Sequence, residues 1–280
     1  FRTMPPDMLQ GEALARVAQQ NNLKSVAILA IDNDYGNGIV QAFQATTKQL
    51  GSSVVGEIVR YSPDASIYSI DLQTPFSEQP DAVLVIAPPD LGGDLLRTAF
   101  ESGIWNGTTK ILLPASMKTN GLAERAGRST NGRYNASNVW GVALSSSPNL
   151  PQFRQLYQQR YGREPGPYDA TTWDAAAIAA LAAEAAQDTS GSAIRSRVAE
   201  VASDPGVEVS DICQALSLVR EGKDINYQGT SGTVDFNQAG DAVGNYDVWT
   251  IDYTGGIKIE STVQAGSSTR PPKAAAQSSP

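Results

Sequence analysis

Tyr35 is the residue of this sequence best placed for chemistry. It lies in the turn cluster Asp32-Asn33-Asp34-Tyr35-Gly36-Asn37-Gly38, directly after the apolar run Val26 to Ile31 and ahead of a helical pattern. A side chain at the carboxyl end of a buried strand, beside the amides of a helix start, is where a small polar or anionic molecule can be held. The same ring could instead pack over its loop, and the residues alone leave both roles open. Gly36-x-Gly38 invites a dinucleotide reading, with Glu57 roughly 20 residues on for a ribose hydroxyl. Gln41 stands where the third glycine belongs, and two glycines in a strand-to-helix turn are ordinary turn chemistry. Asp32 and Asp34 read as helix N-caps rather than as an acid/base pair. Trp105, Trp140, Trp173 and Trp249 read as core or hinge packing rather than a stacking cage. Tyr168-Asp169 reads as a packing tyrosine and an N-cap, and Arg154, Arg160 and Arg163 read as solvated charge. No residue is assigned a catalytic role.

The inventory narrows the chemistry further. The chain has no histidine and one cysteine, which excludes zinc sites, Ser-His-Asp triads and Cys-His pairs within it. No metal site and no cofactor is expected. Cys213 reads as a buried apolar residue of a helix. With 29 acidic against 21 basic residues, the net charge is -8, and a nucleic-acid partner is not expected, because phosphate binding needs a basic surface. No segment reaches the roughly 18 apolar residues of a membrane span. The chain begins Phe1-Arg2-Thr3 without an initiator methionine and carries no visible signal peptide, so the numbering is expected to start inside a longer protein.

The elements that must position Tyr35 follow from periodicity. Asp7 reads as the N-cap of a helix whose apolar face is Leu9, Ala13 and Val17. Val26 to Ile31 is apolar at every position, the pattern of a strand buried on both faces of a parallel sheet. Ile39, Val40, Phe43, Thr47 and Leu50 line a helix that stops at Gly51. A strand is expected over Val54 to Val59, then a helix from Ser62-Pro63-Asp64 to about Glu78. Further strands are expected at Ala82 to Ala87, Lys110 to Leu113 and Ala136 to Ala143, with a helix from Leu91 to Phe100. Strands alternating with helices imply a doubly covered parallel sheet. After Ser145-Ser146-Ser147-Pro148 the pattern becomes helical: Leu150 to Tyr161, Ala170 to Gln187, Ser192 to Ala202 and Val209 to Glu221. The second is apolar nearly all round and is expected to be buried, yet this stretch offers no sheet for these helices to cover. Late strands are expected at Gly232 to Phe236, Tyr246 to Asp252 and Ile257 to Ser261. The closing Ser, Ala, Pro and Gln composition reads as disorder.

Five segments, in order along the chain, resemble those of a known family. Phe1-Arg2-Thr3-x-Pro5-x-Asp7-x-x-Gln10-Gly11 is similar to the opening of the second lobe of type I periplasmic binding proteins, the branched-chain amino-acid (Leu/Ile/Val) branch above all. Asp32-Asn33-Asp34-Tyr35-Gly36-Asn37-Gly38 resembles that family's D-x-x-Y-G-x-G, and Asp81-Ala82-Val83 its D-x-V strand. Pro167-Tyr168-Asp169-Ala170 resembles its P-Y-x-A helix start, and Gly232 to Asp241 its G-x-x-x-F-x-x-x-G-D.

The resemblance implies an α/β, two-lobed periplasmic binding protein of type I, with its first lobe incomplete at the N-terminus. Residues 1–145 would form the second-lobe α/β domain, 146–228 a helical part of the first lobe, 229–262 late strands returning to the second lobe, and 263–280 a disordered tail. It implies the extracytoplasmic solute-binding component of an ABC transporter, periplasmic or anchored through the missing N-terminus. Lobes closing on a small ligand would present it to the permease membrane subunits. Tyr35, with Asp34 beside it, and the strand-end loops of Pro88, Pro89, Ala115 and Ser116 would then touch ligand. Amino-acid binders carry an acid after the fourth strand for the ligand's ammonium; this chain has Pro114-Ala115-Ser116-Met117, and Pro88-Pro89 replaces the tyrosine-bearing loop. An ammonium closed in without a carboxylate is costly. The ligand is thus either another small polar or acidic molecule, or its charge partner lies elsewhere. A ligand-sensing domain of a receptor with the same fold is the alternative, and a nucleotide-dependent enzyme a more distant one.

Overall fold

The computed structural model describes residues 1–119, 121–166 and 168–266. Its first half follows the apolar periodicity. Helix α1 (Met8–Gln20) precedes β1 (Ser25–Ile31), of which all but Ser25 is buried. Helix α2 (Asp34–Leu50) ends on Gly51 at a φ of 82°, the left-handed cap that glycine supplies. The expected strand over Val54 to Val59 is instead two pieces, β2 (Ser53–Val54) and β3 (Val59–Tyr61). Gly56, at a φ of 68°, turns the chain out of the sheet between them. The helix expected up to Glu78 is likewise reduced, to a 3-10 turn at Ile67–Ser69 and the short α3 (Thr74–Ser77). Asp71 accepts the amides of Gln73 and Thr74, both at 3.0 Å, so the chain restarts there rather than continuing a helix. Then come β4 (Ala82–Ile86), α4 (Pro89–Glu101), β5 (Lys110–Leu113), α5 (Leu122–Ala126) and β6 (Val139–Leu144). The first residues of the strand expected over Ala136 to Ala143 instead belong to a 3-10 turn, Asn135–Asn138. The acid of the D-x-V segment is structural. Asp81 accepts the amides of Lys24 and Ser25 at 2.8 and 2.9 Å. These amides, that of Ser25 foremost, hold its carboxyl below the usual range, and they tie the start of β4 to β1.

The chain then builds α6 (Leu150–Tyr161), α7 (Asp169–Ala186), α8 (Gly191–Ala202), β7 (Val207–Val209), α9 (Ile212–Arg220) and β8 (Ile225–Tyr227). Strands β7 and β8 pair in parallel, so this stretch does supply a small sheet. Three-residue strands are too short to stand out from the helical pattern around them. Gly232 to Phe236 is no strand but a loop held by isolated bridges, Gln228 to Thr233 and Phe236 to Ala242. The core joins Ile178, Leu181 and Ala182 of α7 to Val201, Ile225, Tyr227 and Phe236. Contrary to expectation, α7 is exposed along Ala175, Ala176, Ala179 and Ala180, Trp173 is 46% exposed and Cys213 lies at the surface. Tyr168 is exposed rather than packed, and Asp169 accepts the Gly166 amide at 2.8 Å. The fully buried Asp174 accepts the amides of Thr230 and Ser231 at 2.7 and 2.8 Å, with Thr230 Oγ1 at 3.0 Å, Ser231 Oγ at 2.5 Å and Tyr227 OH at 3.3 Å. That one carboxylate shapes the Gly229-Thr230-Ser231-Gly232 loop.

The chain returns in β9 (Gly244–Ile251) and β10 (Ile257–Ala265). The sheet runs β10-β9-β6-β5-β4-β1-β2, with β3 also on β1; β9 is antiparallel to β6, and the strands from β6 to β2 are parallel. Its core includes Trp105 and Trp249, whereas Trp140 is half-buried. Two compact units result. The first holds Phe1–Pro6 and Ser145–Gly244 with Gly266, the second Asp7–Leu144 and Asn245–Ala265. Residues 229–244, which the sequence carries to the sheet of β1, thus group with the helical unit. The tail expected from 263 loses its first three residues to β10, and 267–280 lie outside the described residues, as does Pro167.

Two predictions follow from this packing. A Cβ at Gly36 would sit 2.0 Å from the Ile31 carbonyl oxygen, so Gly36→Ala should destabilise the full-length protein by about 2–3 kcal/mol in denaturant unfolding. Burial, then the charge of Asp204, pushes the Asp235 carboxyl up, with Glu208 adding to it. Its folded form therefore takes up a proton at higher pH than its unfolded form, and stability falls as pH rises through the raised value. Asp235→Asn should be more stable than the native protein at pH 7, and the difference should shrink on acidification to pH 4 in thermal unfolding.

Candidate functional site

The connectivity of the parallel strands singles out one edge. From β1 the chain moves to β2 and β3 on one side, and then crosses to β4 on the other. The loops leaving β1 and β4 therefore diverge, which makes the carboxyl edge between them the switch point where open α/β sheets bind ligands. The loop after β5, the neighbour of β4, lies along the same edge.

Asn33, rather than Asp32 or Asp34, caps α2: its side chain accepts the Gly36 amide at 2.9 Å. Asp32 accepts Asn37 Nδ2 at 2.9 Å instead, and Asp34 stands exposed on the first helical turn. Gly36 lets that turn close onto the Ile31 carbonyl, which serves helix–strand packing rather than phosphate binding. Tyr35 is thereby half-buried and aimed along the edge. Its hydroxyl meets Ser116 Oγ at 3.0 Å, and Ser116 Oγ donates to the Ala87 carbonyl at 2.9 Å. One hydrogen-bond chain thus links the ends of β1, β5 and β4. Pro88 is half-buried directly after Ala87, at the N-cap position of α4, and Pro89 is exposed on its first turn. Ala115 and Ser116 sit together in a 3-10 turn, Ala115–Met117, both half-buried.

One residue of this edge has no role assigned from the sequence. Gln10 of α1 is 6% exposed. Its Oε1 accepts the Ala115 amide at 2.9 Å and its Nε2 donates to Asp7 Oδ1 at 3.0 Å. Asp7, expected to cap backbone amides, makes no side-chain cap to α1 and serves Gln10 instead. The partners fix the orientation of the glutamine amide, since a backbone N–H only donates and a carboxylate only accepts. The signal was present: Gln10 shares the helical face of Ala13, Leu14 and Val17, and a polar side chain on a buried face has a partner to satisfy. Below the edge, the Tyr61 hydroxyl donates to the Ile86 carbonyl at 3.0 Å. Burial, and then the charge of Asp90, keeps that hydroxyl protonated. Among the described residues no cluster of His, Cys, Asp and Glu could hold a metal ion.

Comparison with known proteins shows the family and the fold. The model of the family described as "Receptor family ligand binding region" matches residues 1–254. The substrate-binding protein BasB of a chemotactic signal transduction system in Halobacterium salinarum is 24% identical over 272 residues, 95% of this chain and 61% of its own. A leucine-binding protein, LivK, of Thermotoga maritima superposes with a TM-score of 0.67 at 22% identity, covering 92% of this chain and 65% of its own. A solute-binding protein of an ABC transporter from R. palustris, in complex with benzoate, has a TM-score of 0.64 at 14% identity, covering 96% of this chain and 66% of its own. The chain thus spans somewhat less than two thirds of the first relatives it matches, and the structural likenesses carry the type I periplasmic binding fold. With a match over residues 1–254, this chain belongs to the receptor family of ligand-binding regions.

Proposed function

We propose that this chain is the greater part of an extracytoplasmic solute-binding protein that delivers a small polar ligand to an ABC permease. The observation that carries this reading is the hydroxyl chain Tyr35–Ser116–Ala87, built where the strand order of a ligand-binding family's sheet reverses. In the proposal Tyr35, Asp34, Pro88, Pro89, Ala115 and Ser116 form the ligand-facing edge, and Gln10 holds the β5 loop in register. The second unit corresponds to the family's second lobe and the first unit to part of its first lobe. Closure of the lobes is stabilised by the contacts the ligand makes only in the closed state. No reacting group is required, and the protein is proposed as a binder rather than an enzyme. The proposed location is the periplasm or its extracytoplasmic equivalent; no described helix is long and apolar enough to cross a membrane.

A second reading has one observation in its favour. The relative BasB is named for chemotactic signal transduction, and the second reading is a receptor that reports the same kind of ligand to a signalling partner. Ligand-dependent uptake by permease-containing vesicles supports transport, and ligand-dependent binding to a transducer supports sensing.

A thermal-shift screen of amino acids, short amides and carboxylates on the full-length protein tests the shared claim. A ligand at about 100 times its dissociation constant should stabilise by about 2.7 kcal/mol. Tyr35→Ala should then weaken that ligand by about 1–3 kcal/mol in calorimetry. Unchanged affinity would remove Tyr35 from the site.

A further inference from the structure

The sheet of the second unit ends differently on its two sides. At one end β2 and β3 are only two and three residues long, and Gly56 turns the chain away between them. Short, interrupted pieces keep an open sheet edge from pairing with another chain. At the other end β10 runs for nine residues, and among the described residues no strand pairs with its outer side. It contains no proline and no glycine. Val263 and Ala265 are buried in the core, but Lys258, Glu260, Ser261 and Thr262 are exposed, and Ile259 is 45% exposed. The half of β10 that follows the turn therefore stands clear, with a row of outward N–H and C=O groups for another strand to meet. A run of like charge would guard such an edge, but here the two charges cancel. Lys258 Nζ lies 3.0 Å from Glu260 Oε1, as two residues on one face of a strand can.

We propose that the Ile257 to Ser261 half of β10 is the contact of a homodimer, in which a second copy lays its own β10 antiparallel to the first and the two sheets become continuous. Charge and symmetry select this occupant. A two-fold axis that relates two identical antiparallel strands passes through one residue, because residues directly opposite each other share a face. An axis at Lys258 sets the two lysines against each other, and an axis at Glu260 the two glutamates; like charges directly opposite destabilise a strand pair. Only an axis at Ile259 sets Lys258 of each copy opposite Glu260 of the other. The two partly exposed isoleucines then meet at the axis, and Ile257 meets Ser261. An exposed ion pair within one strand is worth little, and the second copy turns it into a network of four alternating charges. The contact is isologous, so it closes at two copies.

Sedimentation equilibrium on the full-length protein tests this. Five paired residues make a small interface of the weak, transient class. The native protein should therefore be monomeric at about 1 μM and partly dimeric at about 0.1–1 mM. Lys258→Glu and Glu260→Lys each turn both attractive pairs into repulsive ones, and each should raise the dissociation constant of the dimer by about tenfold. Mixed one to one, the two variants regain both attractive pairs in a heterodimer, whose dissociation constant should return to about the native value. The double variant Lys258→Glu/Glu260→Lys should regain it alone. Both side chains are exposed, and thermal unfolding of the single variants checks that they fold as the native protein does. A native protein that stays monomeric up to about 1 mM would overturn the proposal. So would a dimer that neither single variant weakens, or two weakened variants whose mixture and double variant stay equally weak.

Discussion

The serine at position 116 has one proton, and the carbonyl at the end of β4 holds it. Much of the edge follows from that placement. The serine becomes an acceptor, the tyrosine must donate to it, and the loops after β1, β4 and β5 are joined through two side chains rather than through backbone pairing. The arrangement holds only if the three loops keep their register. Gln10 fixes the β5 loop from α1, the close approach at Gly36 fixes the turn that carries the tyrosine, and Asp81 fixes β4 against β1 at the opposite end of the sheet. Each acts on backbone, which is why the side chains of this edge can be set in advance of any ligand.

The first unit relies on a different device. Its core is smaller and its sheet has two short strands, so apolar contact alone leaves the loop after β8 undetermined. A carboxylate with no exposure, Asp174, draws two amides and three hydroxyls onto itself and determines that loop. Gly229 allows the approach, since a Cβ there would meet the carboxylate oxygen at 2.6 Å. The exposed alanines of α7 fit the same picture of a unit whose helices cover little sheet among the described residues.

What was legible in the sequence follows the strength of the burial signal. From Val26 on, strand β1, like strand β4, is apolar without interruption because both faces are covered; α2 and α4 carry a clear stripe, and α2 and α6 end on glycine. Tyr35 was legible because a strand end and a helix start bracket it, and Ser116 only through the family's loop positions. What failed was short or interrupted. A three-residue strand such as β7 or β8 has no period to read, and Gly56 breaks what the composition presents as one strand. The apolar residues between 62 and 78 are buried one at a time on a loop, which mimics a helical face. An alanine is equally at home exposed on a helix or buried, so α7 could not reveal which side was covered. Gln10 needed a contact more than a hundred positions away, with the Ala115 amide, before its role could be read.

The most direct test is a crystal structure of the full-length protein grown with the ligand that the thermal-shift screen identifies. The account predicts a polar atom of that ligand within about 3.2 Å of the Tyr35 hydroxyl oxygen, with the serine still bonded to the Ala87 carbonyl. A ligand bound away from Tyr35 and Ser116, or seated there with only apolar atoms against the hydroxyl pair, would contradict it.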